Sequence, residues 1–208
     1  MKKTLLLVTI LTLFMIPNTV FAKATVSGLK EAVEEEIQVF GSVDGYEDAV
    51  EELKEADLSN YEENDDKVNI YLFRGSSCGH CFNAISYFAS IAKNEGKYFN
   101  IKSYEVWSNT DNADLMNNIG EKLGDKISGV PYIVVGKKSW SGFNESYGKE
   151  IMDEVKSQYN KDPSERYDVM KEVGNTESSS NDIISLIVIL LITAGIVAGI
   201  IFTRKKAS

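Results

Sequence analysis

The alternation of apolar and polar positions divides the middle of the chain into short, clearly bounded elements. Val68 to Phe73 (VNIYLF) is a continuous apolar run, β-branched and aromatic, between Asp65-Asp66-Lys67 and Arg74-Gly75-Ser76-Ser77; it predicts a buried strand. From Cys81 onward, Ala84, Ile85, Phe88, Ile91 and Ala92 recur at helical spacing and predict a helix that ends at Gly96. Ile101 to Trp107 reads as a second strand, and Asn109 to Leu123 as a helix with Leu115, Met116, Ile119 and Leu123 on its apolar stripe. Gly129-Val130-Pro131 leads into a third strand, Tyr132 to Val135. A turn at Gly136 to Ser139 precedes a fourth, Ser139 to Phe143, and Glu145 to Tyr159 forms the last helix.

The region before Val68 is acid-rich. Ile37, Val39 and Val43 alternate with polar positions, which predicts a short strand. Asp44-Gly45-Tyr46-Glu47 has the form of a capping box and opens a helix carrying Ala49, Val50, Leu53 and Ala56. The expected order is β-α-β-α-β-α-β-β-α, an α/β protein.

Both ends are patterned differently. Lys2 and Lys3 precede an apolar run from Leu5 to Ile16, followed by Pro17 and the small residues Val20 and Ala22, so residues 1–22 read as a cleaved signal peptide. Ile183 to Phe202 is uncharged, and at ~1.5 Å per residue it is long enough to cross the bilayer core. Arg204, Lys205 and Lys206 follow, and such cationic residues stay on the cytoplasmic side. The expected organisation is a signal peptide (1–22), an extracytoplasmic domain (23–159), a polar tether (160–182), a transmembrane helix (183–203) and a cytoplasmic tail (204–208). The bacterial surface is the favoured location. An endoplasmic-reticulum membrane is the alternative, since Lys205-Lys206-Ala207-Ser208 matches a dilysine retrieval pattern and Asn144-Glu145-Ser146 a glycosylation sequon.

Charge narrows the partners. Lys+Arg number 22 and Asp+Glu 31, a net charge of −9. Five of the bases lie in the two end segments, so the part between is more acidic still. Such a surface repels nucleic acid and anionic lipid headgroups. The acids of residues 31–66 read as a solvated face.

The candidate chemistry is concentrated in Cys78-Gly79-His80-Cys81, which holds the chain's two cysteines and its one histidine. A zinc site needs four ligands, and no second pair exists to complete one, so no metal and no cofactor is expected. A cysteine or serine protease would need a histidine free to act as base elsewhere in the chain. A structural staple is equally poor, because a loop of this length constrains little of the unfolded chain. A reactive pair fits. At the strand-to-helix junction, the helix N-terminus and a protonated His80 would both favour a thiolate at Cys78, and Cys81 one turn on is placed to resolve a mixed disulfide.

This motif, after an apolar strand and followed by Ile127-Ser128-Gly129-Val130-Pro131 and another strand, resembles the thioredoxin superfamily. Cys-Gly-His-Cys itself is similar to the motif of protein disulfide isomerases. The resemblance covers roughly residues 37–159. It implies a central mixed sheet flanked by helices, a cis proline at Pro131 packed against the cysteine pair, and a substrate-binding backbone at Val130. It implies thiol–disulfide exchange with thiols and disulfides of exported proteins, through Cys78 as nucleophile, Cys81 as resolving cysteine and His80 as tuning group. Histidine between the cysteines favours oxidation or isomerisation over reduction. With one cysteine pair and one span, the chain would need a separate redox partner. Two positions depart from the family pattern: Ser77 stands where a tryptophan usually precedes the first cysteine, and Leu72 where a buried acid is usual. The other class of function considered is a thioredoxin-fold accessory or chaperone that binds exported peptides without redox turnover.

Overall fold

The computed structural model describes residues 26–173; the expected signal peptide, transmembrane helix and cytoplasmic tail lie outside them. No helix among the described residues is long and apolar enough to cross a membrane.

Four strands form one sheet in the order β2-β1-β3-β4. These are β1 (Val68–Arg74), β2 (Phe99–Glu105), β3 (Tyr132–Val135) and β4 (Lys138–Ser141). β1 and β2 are parallel, with Arg74 beside Glu105. β3 is antiparallel to β1, with Phe73 beside Tyr132, and β4 is antiparallel to β3. β1 therefore has a partner on each side, which is why its sequence reads as an uninterrupted apolar run.

The strands' two-residue period feeds two cores. Ile70 and Leu72 of β1, Phe99 and Ile101 of β2, and Ile133 and Val135 of β3 face one side. There they pack against α1 (Leu29–Phe40), α2 (Glu47–Lys54), α3 (Gly79–Glu95) and α5 (Glu145–Tyr159). Tyr71, Phe73, Tyr104, Tyr132 and Val134 face the other side, where Ile119 of α4 (Thr110–Leu123) and Val169 and Val173 cover them. The result is an α/β fold, a mixed sheet with helices on both faces, compatible with a thioredoxin-like arrangement.

Three expectations need correction. Residues 37–43 are not a strand. Ile37 and Val39 belong to α1, whose buried positions are Leu29, Ala32, Val33, Glu36 and Phe40. That spacing is helical, and the apparent alternation at Ile37 and Val39 came from half-buried flanks of the stripe. The capping box is also incomplete. Tyr46 occupies the N-cap of α2 without a side-chain bond, and the Glu47 carboxylate accepts the Gly45 N–H instead of capping with Asp44. Finally, the segment expected as a tether from residue 160 is packed on the domain as far as Val173. Tyr71 donates its hydroxyl hydrogen to Asp168 at 2.7 Å, Val169 is fully buried, and a short 3-10 helix spans Pro163–Glu165. The polar composition of residues 160–168 concealed the apolar anchor just beyond them.

Candidate functional site

The sheet's connectivity determines what meets Cys78. β1 ends at Arg74 and runs through Gly75-Ser76-Ser77 into α3. β2 runs parallel, so its own end and the following Val106-Trp107-Ser108 lie at the same edge of the sheet. β3 runs antiparallel, so its beginning and the preceding Val130-Pro131 arrive there too. Three loops far apart in sequence converge at one edge.

Cys78 is the N-cap of α3. Its backbone carbonyl accepts the Cys81 and Phe82 N–H groups at 2.9 and 3.0 Å, and its Sγ lies 3.1 Å from the Cys81 nitrogen. The sulfur therefore sits among the unpaired donors and partial positive charge of a helix start. Cys78 and Cys81 are joined as a disulfide, with Cα atoms 5.1 Å apart. The two sulfurs are not equivalent: Cys78 retains 8% exposure, while Cys81 has none. Of the two, only Cys78 reaches the surface at all.

The Val130–Pro131 peptide bond is cis. The Val130 carbonyl oxygen lies 3.8 Å from Cys78 Sγ, and the Pro131 carbonyl is held by the Gly142 N–H at 2.7 Å. Of the expected site residues, Cys78, Cys81, Val130 and Pro131 are brought together. His80 lies exposed on the first turn of α3. Among the described residues, no group of His, Cys, Asp and Glu is arranged to hold a metal ion.

Several residues around the pair escaped the sequence reading. Phe40, Tyr46 and Phe82 form a tight aromatic trio, with ring centroids 4.5 to 5.2 Å apart, which fixes the start of α3 against α1. The Tyr46 hydroxyl lies so close over Gly79 that an added Cβ there would collide with it. This explains a glycine between the cysteines even though α3 would gain helix propensity from another residue. On the opposite flank, the Trp107 indole covers Gly75 so closely that a Cβ at Gly75 would overlap the ring.

Glu105 braces the loop that carries Trp107. Its carboxylate accepts the N–H groups of Trp107 and Ser108, both at 2.9 Å, and the Ser108 hydroxyl. Partial burial pushes its pKa up, but these hydrogen bonds outweigh that, and the carboxyl is held below its ordinary value.

A charged cluster lies at the end of β1. Arg74, almost fully buried, donates to the Ser103 hydroxyl and to carboxylates of Glu35 and Glu36. Glu36 is fully buried, so it is not part of the solvated acidic face expected for residues 31–66. Burial pushes its pKa up to about 8. One oxygen accepts from Arg74 at 3.2 Å, and the other has no hydrogen-bond partner. Glu35 is nearly half exposed and hydrated, and it neutralises Arg74 more cheaply than Glu36 can. The signal was present in the sequence: with Leu29, Ala32, Val33 and Phe40 read as a helical stripe, Glu36 falls in its middle.

One well-formed recess among the described residues lies away from this chemistry. It is a polar recess of about 480 Å³ at the start of β1, bordered by Asn69, Tyr71, Asn100, Arg166 and Asp168. It contains neither cysteine nor histidine.

No protein-family model, curated protein or solved structure matches the chain.

Proposed function

We propose that this chain is a thiol–disulfide oxidoreductase of the thioredoxin-like kind. It would be anchored by residues 183–203 with its domain outside the membrane, and would exchange disulfides with exported proteins. The observation that carries the reading is the Cys78–Cys81 disulfide at the N-terminus of α3, with the Val130 carbonyl of a cis-proline loop 3.8 Å from Cys78 Sγ.

In the disulfide form, a substrate thiolate attacks Cys78 Sγ. The Cys78–Cys81 bond breaks, a substrate–Cys78 bond forms, and Cys81 leaves as a thiolate. A second substrate thiolate then attacks its own sulfur in the mixed disulfide. This releases an oxidised substrate and leaves Cys78 as a thiolate at the helix start, where the dipole and the Cys81 N–H stabilise it. Two electrons have passed from the substrate to the pair, and a separate partner must remove them for another cycle. Stabilising the reduced form favours this oxidising direction, with isomerisation as its variant when Cys78 attacks a wrong disulfide.

Cys78→Ser should abolish exchange with a dithiol peptide. Given a peptide that already carries a disulfide, Cys81→Ser should accumulate a mixed disulfide at Cys78, with the other peptide sulfur leaving as a thiolate. Undiminished exchange in Cys78→Ser overturns the proposal, and a double Cys→Ser protein that retains its full effect in cells would identify a peptide-binding module instead.

A further inference from the structure

We propose that Trp107 is a specificity-determining residue of this site: it selects extended polypeptides that carry an apolar side chain next to the target cysteine. This inference rests on the thiol–disulfide reading for its chemistry, and on separate observations for the contact.

Trp107 is 57% exposed, and the other large apolar residues exposed among those described are Val26 and Val43. An indole left in water is costly, since it forgoes the burial that normally stabilises so large an apolar surface. Trp107 is also not on a trailing loop. It follows β2 directly, and its indole rests on Gly75, whose carbonyl accepts the Cys78 N–H. A single hydrogen bond thus links the covered residue to the cysteine three positions on. The Glu105 carboxylate accepts the Trp107 N–H, and the Val106 N–H donates to the Arg74 carbonyl at 2.9 Å, so the backbone that carries the ring is held beside the end of β1, where the cysteine loop begins.

The surroundings define the occupant. Cys78 lies between Val130-Pro131, entering β3 on one side of β1, and Trp107, leaving β2 on the other. A polypeptide whose cysteine reaches Cys78 Sγ can lay its backbone along Val130. Its neighbouring residue then projects towards the indole face. Ser77, Ser108 and Ser128, the exposed serines of the three loops, are small and neutral and give an apolar side chain little to pack against, and His80 is a polar group on the first turn of α3. The indole offers a flat apolar face, which favours leucine, methionine or an aromatic ring over serine or aspartate. This also gives a role to an aromatic residue at the rim despite Ser77 beside the cysteine: the ring comes from the β2 loop instead of from the motif.

The test uses the full chain and two peptides that differ only in the residues flanking one cysteine, leucine in one and serine in the other. Reaction of the oxidised protein with each peptide thiol is followed as a rate. The wild type should prefer the leucine peptide by about tenfold, the low end for one apolar side chain in a pocket. Trp107→Ala should bring that ratio near one, and Trp107→Phe should keep most of it. An unchanged ratio in Trp107→Ala overturns the inference. A second readout is independent of exchange. Both peptides with cysteine replaced by serine are titrated, and the tryptophan fluorescence change is taken as the difference between wild type and Trp107→Phe. A shift with the leucine peptide alone supports the contact, and its absence overturns it. If the wild type exchanges with neither peptide while the fluorescence shift persists, the oxidoreductase reading has failed and the contact at Trp107 stands.

Discussion

Glu36→Gln should stabilise this protein at pH 8, against the usual expectation that cutting a buried carboxylate from an arginine is damaging. Glu36 is fully buried, one of its oxygens lacks a partner, and Arg74 is already neutralised by Glu35. Burial raises its pKa from 4.5 to about 8 in the folded protein. Because the folded pKa lies above the unfolded one, the folded state holds a proton between these values that the unfolded state has lost. Stability therefore falls as pH rises from about 5 to about 8, and changes little from this source outside that window. At ~1.4 kcal/mol per pKa unit the full difference is a few kcal/mol, roughly 2–5. Glutamine keeps the acceptor for Arg74 and cannot ionise. The difference between Glu36→Gln and wild type should thus be small at pH 5 and reach roughly 2–5 kcal/mol in favour of the variant at pH 8. Urea unfolding followed by fluorescence of the buried Trp140 measures it, and comparison at each pH cancels every other titrating group. The opposite sign would refute the argument. A variant less stable by ~3–5 kcal/mol at pH 8 would mean that Glu36 is ionised and that its pairing with Arg74 outweighs burial.

The other predictions concern the site and its support. Gly79→Ala should destabilise the fold by ~1–3 kcal/mol through collision with the Tyr46 hydroxyl, although the helix position alone favours alanine; adding Tyr46→Phe should recover much of this in a double-mutant cycle of urea midpoints. Val169→Ala should cost roughly 1.5–3 kcal/mol, the two lost carbons plus a cavity over Tyr71 and Tyr104, and a value near zero would show that residues 160–173 do not support the second core. Glu105→Gln should leave the wild type ahead at neutral pH but not in acid: its depressed pKa stabilises the fold above the ordinary carboxylate range and that gain is lost as pH falls, which thermal unfolding of both proteins at pH 7 and pH 3 can check.

The candidate chemistry was legible where it was local. A Cys-x-x-Cys pair at the end of an apolar run and the head of a helical stripe is a statement about neighbours in sequence, and β1 and α3 follow it closely. Pro131 could be named only by resemblance, since nothing local indicates which distant loop a cysteine will meet. The misread elements each had a local cause. In α1 the half-buried Ile37 and Val39 imitated the alternation of a strand, and in residues 160–173 polar residues outnumber apolar ones, which suggested a tether. A few buried contacts, Leu29, Phe40 and Val169 among them, outweigh that composition.

By itself the sequence determined the class of the fold, the order of most elements, the cysteine pair and its place at a helix start. These depend on periodicity and on interactions within a few residues. Only the tertiary structure decided that Trp107, Glu105 and Val130 share an edge with Cys78, that Cys81 is sealed while Cys78 is not, and that Glu36 is buried beside Arg74. Parallel pairing of β1 with β2 and antiparallel pairing with β3 bring those loops to one place. Strand direction across a sheet is chosen by packing of the whole chain, and no short stretch of residues carries it.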